Sequence, residues 1–245
     1  MQNHSLTTFK NNMDALQISL SGEQYEQFLH YYELLLEWNA FMNLTAITDY
    51  EEVVLKHFTD SLSLVKAFPA HDFLSGRELS MIDVGTGAGF PALPLKIAFP
   101  DWNITMLDSL NKRVQFLNEV IAQLGLKKIT AIHGRAEDAA RKEEFRENYD
   151  LCVSRAVARL STLSEYCLPF VKKNGYFVAY KSEKTESELA GAAHALSVLG
   201  GQVMQKIDFY LPGSDLFRKL IVIEKHTVTP KKYPRKAGLP AKEPL

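Results

Sequence analysis

Residues 83–89 read Asp-Val-Gly-Thr-Gly-Ala-Gly, directly after a short apolar run and directly before a stretch with helical periodicity. Glycine has no Cβ atom, so glycines at this spacing let the backbone turn sharply and approach a ligand closely. The spacing is G-x-G-x-G, whereas a loop that holds a pyrophosphate at a helix N-terminus has G-x-G-x-x-G. The stretch therefore predicts a strand, a tight turn and a helix, and the turn serves either a nucleotide-like ligand or the fold alone.

Short apolar runs alternate with helical patterns on both sides of this turn. The predicted strands are Leu79–Val84, Ile104–Leu107, Ile129–His133, Leu151–Ser154, Tyr176–Tyr180, Val203–Tyr210 and Leu220–Glu224. The predicted helices between them are Pro91–Phe99, Lys112–Leu124, Ala136–Phe145, Leu160–Val171 and Glu183–Leu199. Strands separated by helices indicate a parallel sheet, but only a loop separates the last two strands, which predicts an antiparallel hairpin. Seven strands with this ending resemble the class I methyltransferase fold, a Rossmann-like α/β fold, and differ from the six-stranded dinucleotide-binding fold.

Helical periodicity fills the chain before the first strand. Ser21 and Gln24 form a capping-box pattern ahead of a predicted helix over Tyr25–Trp38. A second helix is predicted over Tyr50–Phe68 and ends before Pro69. The three predicted parts of the chain are an N-terminal helical extension over residues 1–70, an α/β domain over residues 71–226 and a basic C-terminal tail over residues 227–245.

Basic residues are concentrated near the end of the sequence, although the net charge of the whole chain is only −1. From Lys225 onward there are six Lys or Arg residues and one acidic residue, Glu243. A solvated tail explains such a stretch, and so does an edge that contacts phosphates, because local positive potential matters more than net charge. We predict that the tail packs on the α/β domain or trails from it.

The composition is that of an ordinary globular protein, with 46% hydrophobic and 23% charged residues. No apolar run is long enough to span a bilayer, and the first residues contain no apolar signal-peptide core, so we predict no membrane association. Cys152 and Cys167 fall in apolar segments and form no disulfide framework, which predicts a reduced, cytoplasmic protein.

Asp108 follows the predicted second strand, about twenty residues after the glycine turn. A carboxylate at this place can accept hydrogen bonds from two ribose hydroxyls of a bound nucleoside. Alternatively, Asp108 caps the helix that begins near Lys112, a role that Ser109 and Asn111 could equally fill. We predict the ribose role for Asp108, with Ser109 beside it at the cofactor.

Two further strand ends carry candidate site residues. The run Gly134-Arg135-Ala136-Glu137-Asp138 follows the third strand, where a backbone amide can meet an adenine edge and the acids can also complement a helix dipole. The run Ser154-Arg155-Ala156-Val157-Ala158 follows the fourth strand, at the edge where cofactor and substrate are expected to meet. Arginine is not a core residue type, and the candidate partners of Arg155 are Asp83, a cofactor carboxylate and a substrate phosphate.

These strings together resemble one protein family, the RsmG family, which is also called GidB. The similar stretches are, in order, Trp38-Asn39, Asn43–Ile47, His57–Leu62, Asp83–Pro91, Asp108-Ser109, Lys112-Arg113, Phe116-Leu117, Arg135–Glu137, Ser154–Ala158 and Pro230–Gly238. They cover nearly the whole chain, and several of the strings are rare outside the family. The stretch Lys181-Ser182-Glu183 is less typical of it.

The resemblance implies a bacterial methyltransferase that uses S-adenosylmethionine to methylate N7 of a guanine in a decoding-site loop of 16S rRNA. The implied partner is 16S rRNA, in the small ribosomal subunit or in an assembly intermediate of it, and the implied cofactor product is S-adenosylhomocysteine. We expect a monomer without a metal ion. The glycine turn and the resemblance together predict the cofactor contacts Asp83, Gly85, Gly87, Gly89, Phe90, Asp108, Ser109, Ala136, Glu137 and Arg155.

The implied chemistry makes few demands on side chains. Guanine N7 carries a lone pair and no proton, so methyl transfer to it needs alignment and no general base. Attack at cytosine C5 would need a cysteine nucleophile, and neither Cys152 nor Cys167 lies on a predicted site loop. Many exocyclic-amine methyltransferases carry an Asp/Asn-Pro-Pro-aromatic turn after the fourth strand, which this chain lacks. We therefore name catalytic candidates only, which are Arg155 and the helical pair His57 and Asp60.

The RNA-binding candidates are basic or aromatic side chains. Arginine and lysine contact phosphates, and an aromatic ring can stack on a base. The predicted RNA contacts are Arg113, Lys231, Lys232, Tyr233, Arg235 and Lys236. A polar disordered tail is the alternative for the last five.

Two other functions fit the glycine turn. A small-molecule methyltransferase with the same cofactor site would depend on neither the helical extension nor the basic tail. A nicotinamide dehydrogenase, or a non-catalytic nucleotide-binding module, would bind NAD(H) and would have no affinity for S-adenosylhomocysteine.

Overall fold

A computed structural model describes residues 5–68, 78–182 and 186–245. Seven strands form one sheet in the order β3-β2-β1-β4-β5-β7-β6. The strands are β1 Ser80–Val84, β2 Asn103–Asp108, β3 Ile129–His133, β4 Tyr149–Ser154, β5 Val171–Lys181, β6 Gly201–Tyr210 and β7 Phe217–Lys225. Strands β1 to β5 pair in parallel, whereas β7 runs antiparallel to both β5 and β6. The predicted class I methyltransferase fold with its final antiparallel hairpin is confirmed.

Helices cover both faces of the sheet and precede its first strand. The helices are α1 Thr7–Ala15, α2 Gly22–Met42, α3 Tyr50–Val53, α4 Asp60–Leu62, α5 Ala92–Ala98, α6 Asn111–Gln123, α7 Ala136–Ala139, α8 Leu160–Cys167, α9 Glu186–Leu199 and α10 Leu239–Lys242. A π-helical segment, Val54–Thr59, joins α3 to α4, and a 3₁₀ segment, Ser63–Ala67, follows α4. The predicted capping box of α2 is present, because Ser21 Oγ accepts from the Gln24 amide and Gln24 Oε1 accepts from the Ser21 amide.

Some predicted boundaries differ from the structure. The helix predicted over Ala136–Phe145 stops at Ala139, and the following residues form turns. The Arg146 guanidinium donates to the nearby Ala140 carbonyl and to the distant carbonyls of Thr229 and Tyr233, so this segment is bound to the C-terminal tail. The second predicted helix, Tyr50–Phe68, is present as consecutive α, π and 3₁₀ segments that end at Ala67, with Phe68 as the C-cap residue. Pro69 and the predicted start of the helix at Glu183 lie outside the described residues.

Two apolar cores lie on opposite faces of the sheet. Met81 of β1 packs in the cluster that contains the aromatic side chains of α1, α2 and the π-helical segment. Its neighbour Ile82 packs on the other face, in the cluster formed with α8 and α9. Successive side chains of a strand point to opposite faces, so the parallel strands are buried on both sides. The N-terminal helices therefore share one core with the sheet.

The C-terminal tail packs on the sheet domain. Tyr233 is 7% exposed and belongs to the second core, and Thr162 Oγ1 of α8 donates to the Pro240 carbonyl at 3.2 Å. Of the two boundaries predicted for the α/β domain, the first lies outside the described residues, and the second remains a prediction. Within the described residues, no helix is both long and apolar enough to cross a bilayer.

Candidate active site

The glycine turn lies at the carboxyl ends of β1 and β2. Gly85 has φ +75° and its amide donates to the Leu107 carbonyl at 2.8 Å, which ties the turn to β2. Gly87 has φ +63°, and its amide donates to Asp108 Oδ2 at 2.9 Å. Positive φ angles favour glycine, so the sequence pattern specifies this turn directly.

Asp108 is buried and links the glycine turn to the start of α6. Its Oδ1 accepts from the Leu110 amide at 2.9 Å, while its Oδ2 accepts from Gly87 and lies 3.4 Å from the Arg113 guanidinium. The N-cap position of α6 is Leu110, so the alternative that Asp108, Ser109 or Asn111 caps this helix is wrong. Each carboxylate oxygen has two lone pairs, so Asp108 retains capacity for further donors.

Asp83 is a fully buried carboxylate under the turn. Its Oδ2 accepts from Thr86 Oγ1 at 2.7 Å and from the Ala92 amide at 3.2 Å. Its Oδ1 has no hydrogen-bond partner among the described residues, and burial raises the pKa of this carboxyl to about 7. A buried oxygen without a donor is costly, so this atom fits a site completed by a ligand's donor group.

A cavity of about 390 Å³ opens beside the turn, at the carboxyl ends of β1 to β4. Five predicted cofactor contacts line it together, and these are Gly85, Asp108, Ser109, Ala136 and Glu137. Arg113 lines it as well, and so do Gly238 and Ala241 from the C-terminal tail. The structure thus gathers half of the predicted cofactor contacts around one cavity, which we call the turn cavity.

A second cavity of about 460 Å³ adjoins the turn cavity, and Ala156 and Ala158 line both. Its charged lining residues are Asp60, Arg155, Arg159, Lys181, Glu188 and Arg218. We call it the basic cavity, because four of these six side chains are cationic. Lys181 Nζ donates to the Ala158 carbonyl and to Glu188 Oε1, each at 2.7 Å, which holds the loop after β4 in place.

Arg155 is paired with Asp60 rather than with Asp83. Its guanidinium donates to Asp60 Oδ2 at 3.1 Å and to the Lys56 carbonyl at 3.2 Å. Arg218 Nε donates to the other oxygen of Asp60 at 2.9 Å. One buried carboxylate therefore fixes two arginines at the basic cavity, and it joins the N-terminal helices to β4 and β7.

His57 and Phe90 pack beside this cluster. The two rings are stacked at 4.5 Å, and the Arg155 guanidinium lies 5.1 Å from the Phe90 ring centre. His57 Nε2 is 2.9 Å from Thr45 Oγ1, and burial lowers the pKa of His57 to about 4. His57 and Asp60, the predicted helical pair, each contact the Arg155 guanidinium. π-Helical turns such as the one that carries His57 are frequent at functional sites.

The pKa of His57 predicts a pH dependence of stability. Between pH 4 and 6.5 the unfolded chain binds a proton at His57 that the folded protein excludes, so this residue makes stability rise with pH by up to about 1.4 kcal/mol per unit. Asp83, whose folded-state pKa is raised, contributes the opposite slope up to about pH 7. We expect the difference in unfolding free energy between the natural protein and His57→Gln to rise from pH 4 to 6.5 and then to level off. Urea unfolding at a series of pH values measures this difference, and a pH-independent difference would contradict the prediction.

Gly89 has a packing role that differs from those of the other two glycines. Its φ is +96°, and a Cβ atom there would overlap the buried Leu93 side chain and lie 3.0 Å from the Tyr31 hydroxyl. At Gly87 a Cβ atom would meet nothing within 4 Å. We expect Gly89→Ala to lower the free energy of unfolding by about 2–4 kcal/mol and Gly87→Ala by only about 1–2 kcal/mol. Equal losses in chemical denaturation would contradict this difference.

Some of the predicted RNA contacts are exposed in the structure, whereas others are buried or paired within the protein. Lys231, Lys232 and Lys236 are exposed. Tyr233 is buried against the second core, so its predicted base-stacking role is wrong. Arg235 binds the buried carboxylate of Glu165 through its amide and its guanidinium, with N–O distances of 2.7 Å, and is therefore a structural anchor rather than a free phosphate ligand.

Sequence reasoning missed Arg218 and Glu165. Strand β7 is antiparallel, so its first residues lie at the edge where β4 and β5 end, as the pairing of Lys181 with Lys219 shows. No local motif marks such a position. The antiparallel hairpin, which was predicted, is the only sequence signal that could have placed Arg218 there.

Comparison with known sequences identifies the family of this chain. The sequence model of the family described as GidB, rRNA small subunit methyltransferase G, matches residues 24–211. A ribosomal RNA small subunit methyltransferase G from Lachnoclostridium phytofermentans is 56% identical over 239 residues, which are 98% of this chain and 97% of the relative. The chain belongs to this family. A family member from Lactobacillus johnsonii is 51% identical over 97% of this chain and 98% of its own length.

Solved structures agree on the fold. The YcgJ protein from Bacillus subtilis aligns with a TM-score of 0.51 at 15% identity, over 70% of this chain and all of that chain. TrmN from Thermus thermophilus aligns with a TM-score of 0.51 at 16% identity, over 70% of this chain and 53% of that chain. At these identities the solved structures support only the fold of the sheet domain. The methyltransferase activity is supported by the sequence family.

Proposed function

We propose that this protein transfers a methyl group from S-adenosylmethionine to N7 of a guanine in the decoding-site loop of 16S rRNA. Family membership over nearly the whole chain supports the rRNA substrate and the cofactor. The main structural support for this proposal is that two cavities adjoin each other at the carboxyl ends of β1, β2 and β4. The turn cavity has the features of a nucleoside site, and the basic cavity beside it suits an anionic substrate.

The residues around the turn cavity fit S-adenosylmethionine. Oδ1 of the buried Asp108 carboxylate accepts from the Leu110 amide only, so it can also accept from a ribose hydroxyl. The Ala136 backbone, which lines the same cavity, is the proposed adenine contact. A Cβ atom added at Gly85 would lie 3.6 Å from the Ala156 Cβ and fill the gap between the turn and Ala156. The glycine leaves this gap open.

Asp83 is fully buried beneath the turn and does not line the turn cavity. We assign its unpartnered Oδ1 to the ammonium group of the methionine part, whose charge would lower the raised pKa of this carboxyl.

The cofactor supplies a sulfonium-bound methyl group, which is already electrophilic. The side chains of this site therefore have to bind, orient and exclude water, and alignment alone can contribute several kcal/mol to lowering the barrier. Guanine N7 attacks with its own lone pair and loses no proton, so no general base is needed. The neutral His57, held by Thr45 and stacked on Phe90, is consistent with a positioning role.

Arg155 lines the basic cavity next to Ala156, which lines both cavities, and it is our candidate for contact with the reacting groups. Its guanidinium is oriented by Asp60 and by the Phe90 ring, so it is pre-organised before any substrate binds. From this position it can donate to a phosphate or to the guanine O6 acceptor. Arg159 and Arg218, which line the same cavity, add positive potential for the RNA backbone.

We further propose that the enzyme acts in the cytoplasm as a monomer, on the small ribosomal subunit or an assembly intermediate. The exposed lysines 231, 232 and 236 and the half-exposed Arg113 are the proposed phosphate contacts outside the two cavities. Removing each cation should weaken RNA binding and lower its salt dependence without changing base specificity.

The test uses labelled S-adenosylmethionine and small subunits from cells that lack this methylation. We expect label in N7-methylguanine of 16S rRNA, detected by nuclease digestion and chromatography. Naked 16S rRNA, assembly intermediates and complete subunits are compared to identify the preferred substrate. Label on another base or on protein alone would reject the assignment, and Asp108→Ala serves as the inactive control.

A further inference from the structure

The C-terminal tail supplies a wall of the turn cavity. Gly238 and Ala241, the latter in α10, line this cavity opposite residues that come from the loops after β1, β2 and β3. Gly238 contacts Glu137, which lies 101 positions earlier in the sequence and lines the same cavity. We call residues 229–241 the C-terminal strap.

Two buried carboxylates fasten the strap. Glu137 Oε1 accepts from the Gly238 amide at 2.8 Å, and Glu137 is 5% exposed. Glu165 of α8 accepts from the amide and guanidinium of Arg235, three residues earlier in the strap. A buried carboxylate that accepts a backbone N–H makes a strong, charge-assisted hydrogen bond, so these contacts specify where the strap lies.

The Glu137 carboxylate is thus directed at the strap, although its position in the sequence predicts a cofactor contact. Its neighbour Asp138 is exposed and shares the first turn of α7, so both complement the helix dipole but only Glu137 binds the strap. A comparison of Glu137 with Asp138 therefore separates the general effect of negative charge in α7 from the specific contact with Gly238.

We propose that the C-terminal strap is a structural part of the cofactor site and that Glu137 is a positioning residue that acts through it. The inference rests on the proposed function, because it assumes that the turn cavity holds S-adenosylmethionine. The strap covers the nucleoside end of the cavity and excludes water from it, which strengthens polar contacts inside. By reciprocity, cofactor binding stabilises the strap by the same free energy with which the strap favours the cofactor.

Calorimetric titration of the full chain with S-adenosylhomocysteine tests the proposal. We expect Glu137→Ala to raise Kd by about tenfold, which is the size of one charged hydrogen bond. Glu137→Gln should stay within about threefold of the natural protein, because its amide oxygen accepts from the same N–H. Asp138→Ala is the matched control and should leave Kd unchanged. Equal effects of Glu137→Ala and Asp138→Ala would overturn the proposal.

A second pair of variants tests the wall directly. Ala241 is exposed, so Ala241→Trp does not disturb a core, but its indole would project at the cavity. We expect Kd to change at least tenfold for Ala241→Trp and less than twofold for the small variant Ala241→Ser. An unchanged Kd for Ala241→Trp would overturn the proposal.

Hydrogen exchange of the cofactor-free protein provides a readout that is independent of binding. Residues 229–241 should exchange faster in Glu137→Ala than in Glu137→Gln, and S-adenosylhomocysteine should slow their exchange in the natural protein. If the exchange rate of residues 229–241 were unchanged in both comparisons, the inference would be overturned. If the natural protein bound no S-adenosylhomocysteine, the proposed function itself would fail, and this outcome is distinct from the others.

Discussion

Asp60→Ala is expected to lower the free energy of unfolding by about 3–5 kcal/mol, because it leaves two half-buried guanidinium groups without their shared carboxylate. Asp60 binds Arg155 at 3.1 Å and Arg218 at 2.9 Å, and its side chain is 6% exposed. The variant should also lose methyl transfer more severely than cofactor binding, since Asp60 lines the basic cavity and not the turn cavity. Chemical denaturation measures the loss of stability, calorimetry with S-adenosylhomocysteine measures cofactor binding, and the labelled methyl-transfer assay measures activity.

The matched control for this variant is Glu52→Ala. Glu52 lies on the preceding helix α3 and pairs with Lys56 at 2.5 Å, but the two side chains are 49% and 31% exposed, far more than that of Asp60. An exposed ion pair of this kind contributes about 0–1 kcal/mol. If Asp60→Ala were no more destabilising than Glu52→Ala, the view that this carboxylate organises the basic cavity would be wrong.

Asp108→Ala is expected to weaken cofactor binding by about 1–3 kcal/mol for each lost hydrogen bond, so that Kd for S-adenosylhomocysteine rises by about 10- to 1,000-fold. The substitution removes the proposed ribose acceptor and also releases the Gly87 and Leu110 amides from the carboxylate. Both effects act on the turn cavity, so we expect this variant to show the largest change in affinity.

Asp108→Asn separates the two contributions. The asparagine oxygen can accept from one backbone amide, but it carries no charge and has fewer acceptor sites. Its Kd should therefore fall between those of the natural protein and Asp108→Ala. A Kd for Asp108→Ala equal to that of the natural protein would show that the carboxylate serves the glycine turn alone.

The sequence predicted those parts of the site that depend on local structure. A positive φ at Gly85 and Gly87 follows from the glycine spacing, and the place of Asp108 follows from parallel pairing of β1 with β2. The hairpin of β6 and β7 was predicted from the short loop between them. In each case the physical cause lies within a few residues or in one strand pairing.

The parts that were missed depend on contacts between distant segments. Tyr233 was predicted to stack on RNA, but the structure buries it, and Arg146 binds its carbonyl at 3.0 Å. Glu137 was predicted at the cofactor and it lines the turn cavity, but the sequence did not indicate that its carboxylate accepts from the Gly238 amide. Arg155 had three candidate partners, and the partner that it has, Asp60, comes from an N-terminal helix. Periodicity along the chain carries no information about such pairings.

The C-terminal strap also determines when during translation the site can first exist. The ribosome makes the chain from its N-terminus, so Asp108 is synthesised on the order of ten seconds before Ala241. A nascent chain that already contains the glycine turn and all seven strands still lacks one side of the cavity. On the proposed role of the strap, the affinity for the methyl donor therefore reaches its final value only after residue 241 has left the peptide exit tunnel.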